Sequence, residues 1–197
     1  MTSINPMGAM KLIRAISLTG LVCLLGGMLL PACTDEAVNE YAQMRAFFRF
    51  DAVTSVHPLY TAVHNPGQWC SITLRNSTYT FTGTDGHAAT ANATSMEAYG
   101  KPECVAGFIV GTPSIPDLNG RTPVMAYDLA CPSCYEEAAV QRSVTFLERE
   151  RVKCPRCGRV YDLCNKGIVV EGEAGKKLYR YHVDLSEAAG GTLLIRN

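Results

Sequence analysis

The chain has 197 residues, with eighteen basic and eighteen acidic side chains, and 47% of its residues are hydrophobic. This length suits one compact domain, and the apolar content excludes a disordered chain. The even charge balance lacks the basic excess of a nucleic-acid-binding protein, so we predict no nucleic-acid partner. Nine cysteines are the unusual feature. A chain of this size with so many cysteines is typically joined by disulfides, folded around metal or lipidated.

The first 32 residues predict a targeting segment. Lys11 and Arg14 precede an uncharged apolar run from residue 15 to residue 30, and small residues follow the run. This order is typical of a secretory signal, and the run is shorter than the ~20 apolar residues of a membrane-spanning helix. The segment ends in Leu-Pro-Ala-Cys33, which resembles the bacterial lipobox. The resemblance implies that Cys33 is lipidated and that the lipid holds the chain on a membrane of the cell envelope.

Residues 33–46 are then a short lipidated tether, and residues 47–197 form the folded domain. Thr34 follows the cysteine, an arrangement that in a Gram-negative cell resembles an outer-membrane lipoprotein with a periplasmic or surface face. The alternatives are an ordinary cleaved signal with a chance cysteine and an uncleaved anchor. Cleavage after residue 32 removes two basic residues and no acidic one, so the mature chain is slightly acidic.

The mature chain reads as a β protein. Aromatic and β-branched residues favour strands, and the segments rich in them or in other apolar residues are 46–53, 68–74, 78–82, 105–110, 124–129, 143–147 and 151–153. Turn residues at 75–77 and 148–150 predict two hairpins. The one helical turn that we predict spans residues 38–45. No segment has a long 3.6-residue period, so the predicted class is mostly β.

Two Cys-x-x-Cys pairs carry the chemistry. Cys131 and Cys134 form the first pair, and Cys154 and Cys157 form the second after nineteen intervening residues. This spacing matches a four-cysteine metal site, because each pair forms a tight knuckle that directs two thiolates at one ion. The intervening hairpin brings the knuckles together. Structural disulfides or a redox dithiol pair are the alternatives in an oxidising envelope.

The sequence around the second pair resembles the second half of a Rieske domain. The matching segments are residues 154–158, 161–163, 167–175 and 178–183, with residues 125–131 upstream. They contain Cys-Pro-x-Cys-Gly, Tyr-Asp-Leu and Gly-Glu-Ala-Gly in the family's order, and the match covers residues 124–185. The resemblance implies an antiparallel β sandwich or barrel with a small two-knuckle metal-binding lobe at about residues 128–166. Such a lobe is similar to a zinc ribbon or a rubredoxin.

The ligand positions depart from the Rieske pattern, in which two cysteines and two histidines hold a [2Fe–2S] cluster. Cys131 and Cys154 match the family cysteines, but Cys157 stands at the second histidine position and Ser133 at the first. Cys134 adds a thiol one position later. Four thiolates predict a structural zinc ion. The alternatives are a lower-potential [2Fe–2S] cluster and a single iron as in rubredoxin.

Three cysteines of the mature domain lie outside this set. Cys70 and Cys104 are able to form one disulfide in an oxidising compartment, and Cys164 is expected to be a packed side chain. We expect the four histidines at the surface and both Asp128 and Asp162 in structural hydrogen bonds. No phosphate-binding loop or hydrolase motif occurs, so we predict no catalytic residue and no enzyme in this chain by itself. An electron carrier and an envelope interaction module are the alternative functions.

Overall fold

The computed structural model describes residues 39–93 and 100–197. The predicted signal peptide and the lipid-attachment site Cys33 lie outside the described residues. The described chain contains two α-helices, α1 (His57–His64) and α2 (Pro132–Ala138). Its strands are β1 (Phe47–Phe50), β2 (Gln68–Arg75), β3 (Thr78–Gly83), β4 (Ala88–Asn92), β5 (Phe108–Thr112), β6 (Met125–Asp128), β7 (Thr145–Leu147), β8 (Arg151–Lys153), β9 (Val160–Asp162), β10 (Ile168–Glu171), β11 (Arg180–Ser186) and β12 (Thr192–Arg196). The predicted mostly β class is confirmed.

Eight strands form one antiparallel sheet in the order β1-β12-β11-β6-β5-β2-β3-β4. The sheet curls into a half-barrel. The first and last strands of the domain are neighbours at one edge, with Phe48 opposite Ile195. The predicted β2–β3 hairpin is confirmed, because Arg75 pairs with Thr78 across the turn. The two turn residues, Asn76 and Ser77, adopt the positive φ angles that a tight hairpin requires.

The remaining four strands form a smaller antiparallel sheet in the order β10-β9-β8-β7. We call this sheet together with α2 the small lobe. The β7–β8 hairpin predicted between the cysteine pairs is confirmed, with Leu147 opposite Arg151. Arg149 and Glu150 form its turn at positive φ. Strand β10 extends to Glu171, so the small sheet continues past residue 166, where the sequence analysis ended the metal-binding lobe.

Helix α1 was not predicted from the sequence. Pro58 occupies the first turn, where proline is well tolerated, and Leu59, Ala62 and Val63 form a buried face at helical spacing. The helix packs against β2, β3 and β5. The helical turn expected at 38–45 is not formed at residues 39–45. No helix within the described ranges is long and apolar enough to cross a membrane.

The large sheet separates two apolar clusters, and β5 contributes to both. Phe108 and Val110 join the cluster under the half-barrel, whereas Ile109 joins the cluster between the sheet and the small lobe. This alternation follows from the two-residue period of a strand that is buried on both faces. Gly111 permits close packing here, because a Cβ atom at this position would lie 2.6 Å from the ring of Trp69.

Candidate metal centre

The first cysteine pair lies at the start of α2, where the sequence analysis predicted only a tight turn. Cys131 is the N-cap residue of the helix and Pro132 follows it. Cys134 comes three residues later and therefore shares a face with the helix start. The helix ends at Ala138, and the next residue, Ala139, is a left-handed C-cap with a φ of +50°. The short helix thus directs two thiols to the same side.

The second pair lies in a closed loop between β8 and β9. The backbone N–H of Cys154 donates to the carbonyl oxygen of Arg159 at 3.0 Å, and the N–H of Gly158 donates to the carbonyl oxygen of Cys154 at 3.0 Å. Gly158 has a φ of +77°, a conformation that glycine adopts without steric cost. The proline–glycine pattern predicted this knuckle correctly.

The four predicted ligand atoms come together. Their sulfur atoms all lie within 4.8 Å of one another. Cys131 Sγ lies 3.6 Å from Cys157 Sγ, and Cys134 Sγ lies 3.7 Å from Cys154 Sγ. A tetrahedral ion with zinc–sulfur bonds of ~2.3 Å requires sulfur–sulfur edges of about 3.8 Å. The set can therefore hold one metal ion with little rearrangement.

Burial of the ligands is unequal. Cys131, Cys134 and Cys154 are buried, whereas Cys157 is exposed. Burial is the main cause that raises the pKa of the Cys134 thiol. Burial also opposes ionisation of Cys157, but the backbone N–H of Arg159 and the neighbouring polar groups outweigh it and lower the pKa of this thiol. A bound cation would favour the thiolate form of all four side chains.

Two residues that the sequence analysis did not single out contact the sulfur atoms. Tyr161 Oη lies 3.2 Å from Cys131 Sγ in a buried position. If Cys131 binds a metal as a thiolate, it can only accept, and Tyr161 would donate this hydrogen bond. Arg159 interacts with the Cys157 thiol, and each group favours the charged form of the other. The centre therefore has one hydrogen-bond donor and one cation beside its thiolates.

Arg159 is a buried cation, with only 4% of its surface exposed. Its Nε donates to the carbonyl oxygen of Glu173 at 2.9 Å, and one terminal nitrogen donates to the carbonyl oxygen of Ala174 at 3.2 Å. The same nitrogen lies 3.3 Å from carboxylate oxygens of Glu137 on α2 and of Glu173. Arg159 thus joins the second knuckle, the first-knuckle helix and the loop after β10.

Asp128 fixes the entry to the first knuckle. Its two carboxylate oxygens accept hydrogen bonds from the backbone N–H groups of Val105, Ala106 and Ala130 and from Tyr181 Oη, at 2.8 to 3.1 Å. Asp162 has a similar local role, since its Oδ1 accepts the backbone N–H groups of residues 164 and 165. The structural hydrogen bonds expected for both aspartates are present.

Glu150 connects the small lobe to the large sheet. Its Oε2 accepts a 2.8 Å hydrogen bond from the indole N–H of Trp69, which is buried on β2. The backbone N–H of Ser114 also donates to this carboxylate. A second connection is made by Tyr127 Oη, which donates to the carbonyl oxygen of Leu163 at 2.8 Å. These contacts hold the β7–β8 hairpin and β9 against the sheet.

The other candidate residues do not join the metal centre. Cys70 is buried on β2 and Cys104 is exposed in a loop, and both thiols are free in the structure. The possible disulfide between them stays a prediction from the sequence. Cys164 is half-buried beside Glu150 and outside the group of four. All four histidines are exposed, as expected.

The ligand set limits the chemistry of the centre. Four thiolates complete a tetrahedron and leave no open coordination position, an arrangement typical of structural sites. Of the four cysteines, Cys157 is the one whose sulfur a second molecule can reach directly, because it is exposed. No protein-family model matches the chain, and no curated protein matches it.

Proposed function

We propose that this chain is a lipid-anchored protein of the cell envelope whose β domain is stabilised by one zinc ion bound to Cys131, Cys134, Cys154 and Cys157. The observation that carries the proposal is the sulfur geometry. Two sulfur–sulfur distances of 3.6 and 3.7 Å match the edge of a single tetrahedral four-thiolate site.

The compactness of the sulfur group favours one ion over a two-iron cluster. In a [2Fe–2S] centre each iron takes two of the four thiolates. Thiolates on opposite irons are then farther apart than thiolates that share an iron. Here all four sulfur atoms lie within 4.8 Å of one another, so the separation into two distant pairs is missing. This supports a mononuclear site.

A structural role is supported by the sparse burial of the two outer strands of the small lobe. Strand β7 has one half-buried residue, Phe146, between two exposed ones, and β10 has exposed residues at three of its four positions. The buried residues of this sheet, Val152, Val160 and Tyr161, lie on β8 and β9. The outer strands therefore add little apolar burial and little folding free energy. Metal binding can supply additional folding free energy, because a site that forms only in the folded state contributes its binding energy to folding. The ion would cross-link α2 to the loop between β8 and β9.

The envelope location is supported by the sequence before the folded domain. A basic start, an apolar run and the lipobox-like Leu-Pro-Ala-Cys33 precede it. Lipidation of Cys33 would add two or three acyl chains, and multiple chains give stable membrane anchoring. The oxidising envelope also favours a metal-protected set of thiolates over four free cysteines.

Elemental analysis of the purified full chain, handled without oxygen, tests the metal. We expect one zinc per chain and no absorption band in the visible range. The variant Cys154→Ser should lose the zinc, whereas Cys70→Ser should keep it, because Cys70 is buried on β2 and outside the group of four. One iron per chain with visible absorption contradicts the zinc assignment, and full zinc retention by Cys154→Ser contradicts the ligand assignment.

A second candidate function is electron transfer by a single iron in the same four thiolates. The exposed Cys157 favours it, because this sulfur gives an electron a short path from the buried centre to a docked partner. The candidate also keeps a redox role for the domain, as the resemblance of residues 124–185 to a Rieske domain implies. An iron-loaded chain whose colour bleaches on reduction and returns on oxidation supports it. A colourless protein from anaerobic preparations excludes it.

A further inference from the structure

Two histidines meet on the face of the domain formed by α1 and the β3–β4 turn. His57 is the first residue of α1, and His87 lies in the turn that precedes β4. Their ring centroids are 5.4 Å apart and the ring planes are inclined at 57°. Both side chains are exposed. The two imidazoles come from different elements, so their approach is set by the tertiary structure.

Asp85 orients one of the two rings. Its Oδ2 lies 3.2 Å from His87 Nδ1, and its Oδ1 accepts the backbone N–H of His87 at 3.0 Å. This backbone hydrogen bond is the main cause that lowers the pKa of Asp85. A charged carboxylate at Nδ1 holds the proton there and leaves the lone pair on Nε2. A carboxylate that fixes a histidine in this way is the usual support of a metal-binding imidazole.

We propose that His57 and His87 form a second metal site, separate from the cysteine centre, for a divalent ion that prefers imidazole ligands, such as Ni²⁺, Zn²⁺ or Cu²⁺. Two imidazoles on one ion at metal–nitrogen distances of ~2.0–2.1 Å place their ring centroids about 5 Å apart. The observed 5.4 Å is close to this separation. Asp85 positions His87 and is not itself a ligand. Water or a side chain of another molecule completes the coordination.

A bound ion at this site connects two elements that are otherwise held by packing. Pro58 on α1 lies beside Gly83 at the end of β3, where an added Cβ would be 3.5 Å from the proline ring. The ion would add a link between the start of α1 and the β3–β4 turn. We therefore expect it to raise the thermal stability of the domain, since a ligand that binds only the folded state stabilises that state.

Titration of the full chain with Ni²⁺, followed by calorimetry and by thermal unfolding, tests the site. Wild-type protein should take up one equivalent of Ni²⁺ more than His57→Ala or His87→Ala, and Ni²⁺ should raise its melting temperature more than that of either variant. Asp85→Asn should weaken this binding about tenfold. His64→Ala is the matched control, because His64 is also exposed and lies at the other end of α1. It should behave as wild type.

The comparison separates this site from the cysteine centre, because all variants keep the four cysteines. Any Ni²⁺ taken up by thiolates appears equally in every titration. Equal uptake by wild type, His57→Ala and His87→Ala overturns the proposal, as does an equal loss in His64→Ala, which indicates unspecific binding to surface histidines. Paramagnetic broadening of histidine ring resonances by Ni²⁺ identifies which histidines bind the ion. Ni²⁺ should broaden the ring resonances of His57 and His87 before those of His64 and His182.

Discussion

Arg159 is not one of the four cysteines, but it lies where it would influence metal binding. Its buried guanidinium interacts with Cys157 and binds two carbonyl groups in the loop after β10. Replacement by methionine removes a cation from beside thiolates that carry negative charge. We expect Arg159→Met to weaken metal binding by about 10- to 100-fold, the usual cost of losing a group that supports a metal ligand. Competition with a chromophoric chelator measures this affinity.

Arg156 provides the control for this prediction. It belongs to the same knuckle, but its side chain is exposed. Arg156→Met removes the same charge from the chain and should change the affinity for the metal by no more than about threefold. Arg159→Lys should fall between wild type and Arg159→Met, because lysine keeps the charge but not the planar fork. Equal effects of the Arg156→Met and Arg159→Met changes would show that only net charge matters.

We expect the free energy of unfolding to depend on pH through the ionisation of Glu150. Burial, the largest single effect, raises the pKa of this carboxyl, but its hydrogen bonds with Cys164, Ser114 and Trp69 together lower it. A lowered folded-state pKa contributes stability that is fully present above the unfolded value of about 4.3 and is lost as the pH falls from there through the lower folded-state pKa. Glu150→Gln should therefore reduce the free energy of unfolding by about 1–2 kcal/mol at pH 7 and by much less at pH 3.

Denaturant unfolding of the two proteins at several pH values measures the difference. Acid also protonates thiolates and weakens metal binding, but this effect is common to both proteins and cancels in the comparison. Glu148→Gln is the matched control in the same turn, where the side chain is exposed. It should leave the curve of stability against pH unchanged. A constant difference between wild type and Glu150→Gln from pH 7 to pH 3 would contradict the role given to the carboxylate.

At the scale of elements, the small lobe should depend on the metal more than the large sheet does. Cys154→Ser removes a buried ligand, so we expect loss of the ion and faster amide hydrogen exchange in β7–β10. Strands β2, β5 and β6 should keep their protection, because they pair with one another in the large sheet. Exchange measured by mass spectrometry on peptides from both sheets checks this prediction.

Cys164→Ser is the control for this experiment. It makes the same sulfur-to-oxygen change in the small lobe, at a half-buried position outside the group of four sulfur atoms. We expect full metal content and almost unchanged exchange. Faster exchange in both sheets of Cys154→Ser would show instead that the two sheets unfold as one cooperative unit.

The sequence predicted the hairpins well and the short helices poorly. Both hairpins have local signals, namely turn residues between runs of strand-forming residues. Helices α1 and α2 have eight and seven residues, which is too short for a clear helical period, and packing stabilises them more than intrinsic propensity does. The apolar spacing of Leu59, Ala62 and Val63 was the one signal that could have revealed α1.

In the site too, features with a local sequence signal were predictable, and contacts between distant residues were not. The four ligands were predictable because each knuckle is a local motif with fixed spacing. The contact between Trp69 and Glu150 joins residues 81 positions apart, and no local pattern encodes such a pair. Arg159 directly follows Gly158 in the sequence, but its burial depends on contacts with the loop after β10. Buried charged residues of this kind are visible only once the tertiary structure is known.

For the whole molecule, the predicted lipid anchor would determine in which cell fraction the protein is found. Cys33→Ser removes the thiol that would carry the diacyl group, so we expect the chain to move from the membrane fraction to the soluble envelope fraction or to remain as an uncleaved precursor. Cys23→Ser is the matched control, because Cys23 lies within the apolar run of the predicted signal. Metabolic labelling with a fatty acid and cell fractionation measure both. Labelled Cys33→Ser protein contradicts the assignment.

Because the four ligands are unequally buried, the affinity of the site for its ion and the rate at which it exchanges that ion would be set by different cysteines. In the proposed centre, three buried thiolates would hold the ion, and an incoming thiol would replace the exposed Cys157 sulfur first, without opening the core. Exchange would then proceed ligand by ligand, at a rate that rises with the concentration of the acceptor. A site of this design retains its ion for long periods in dilute solution and still transfers it rapidly when a competing ligand docks at that edge.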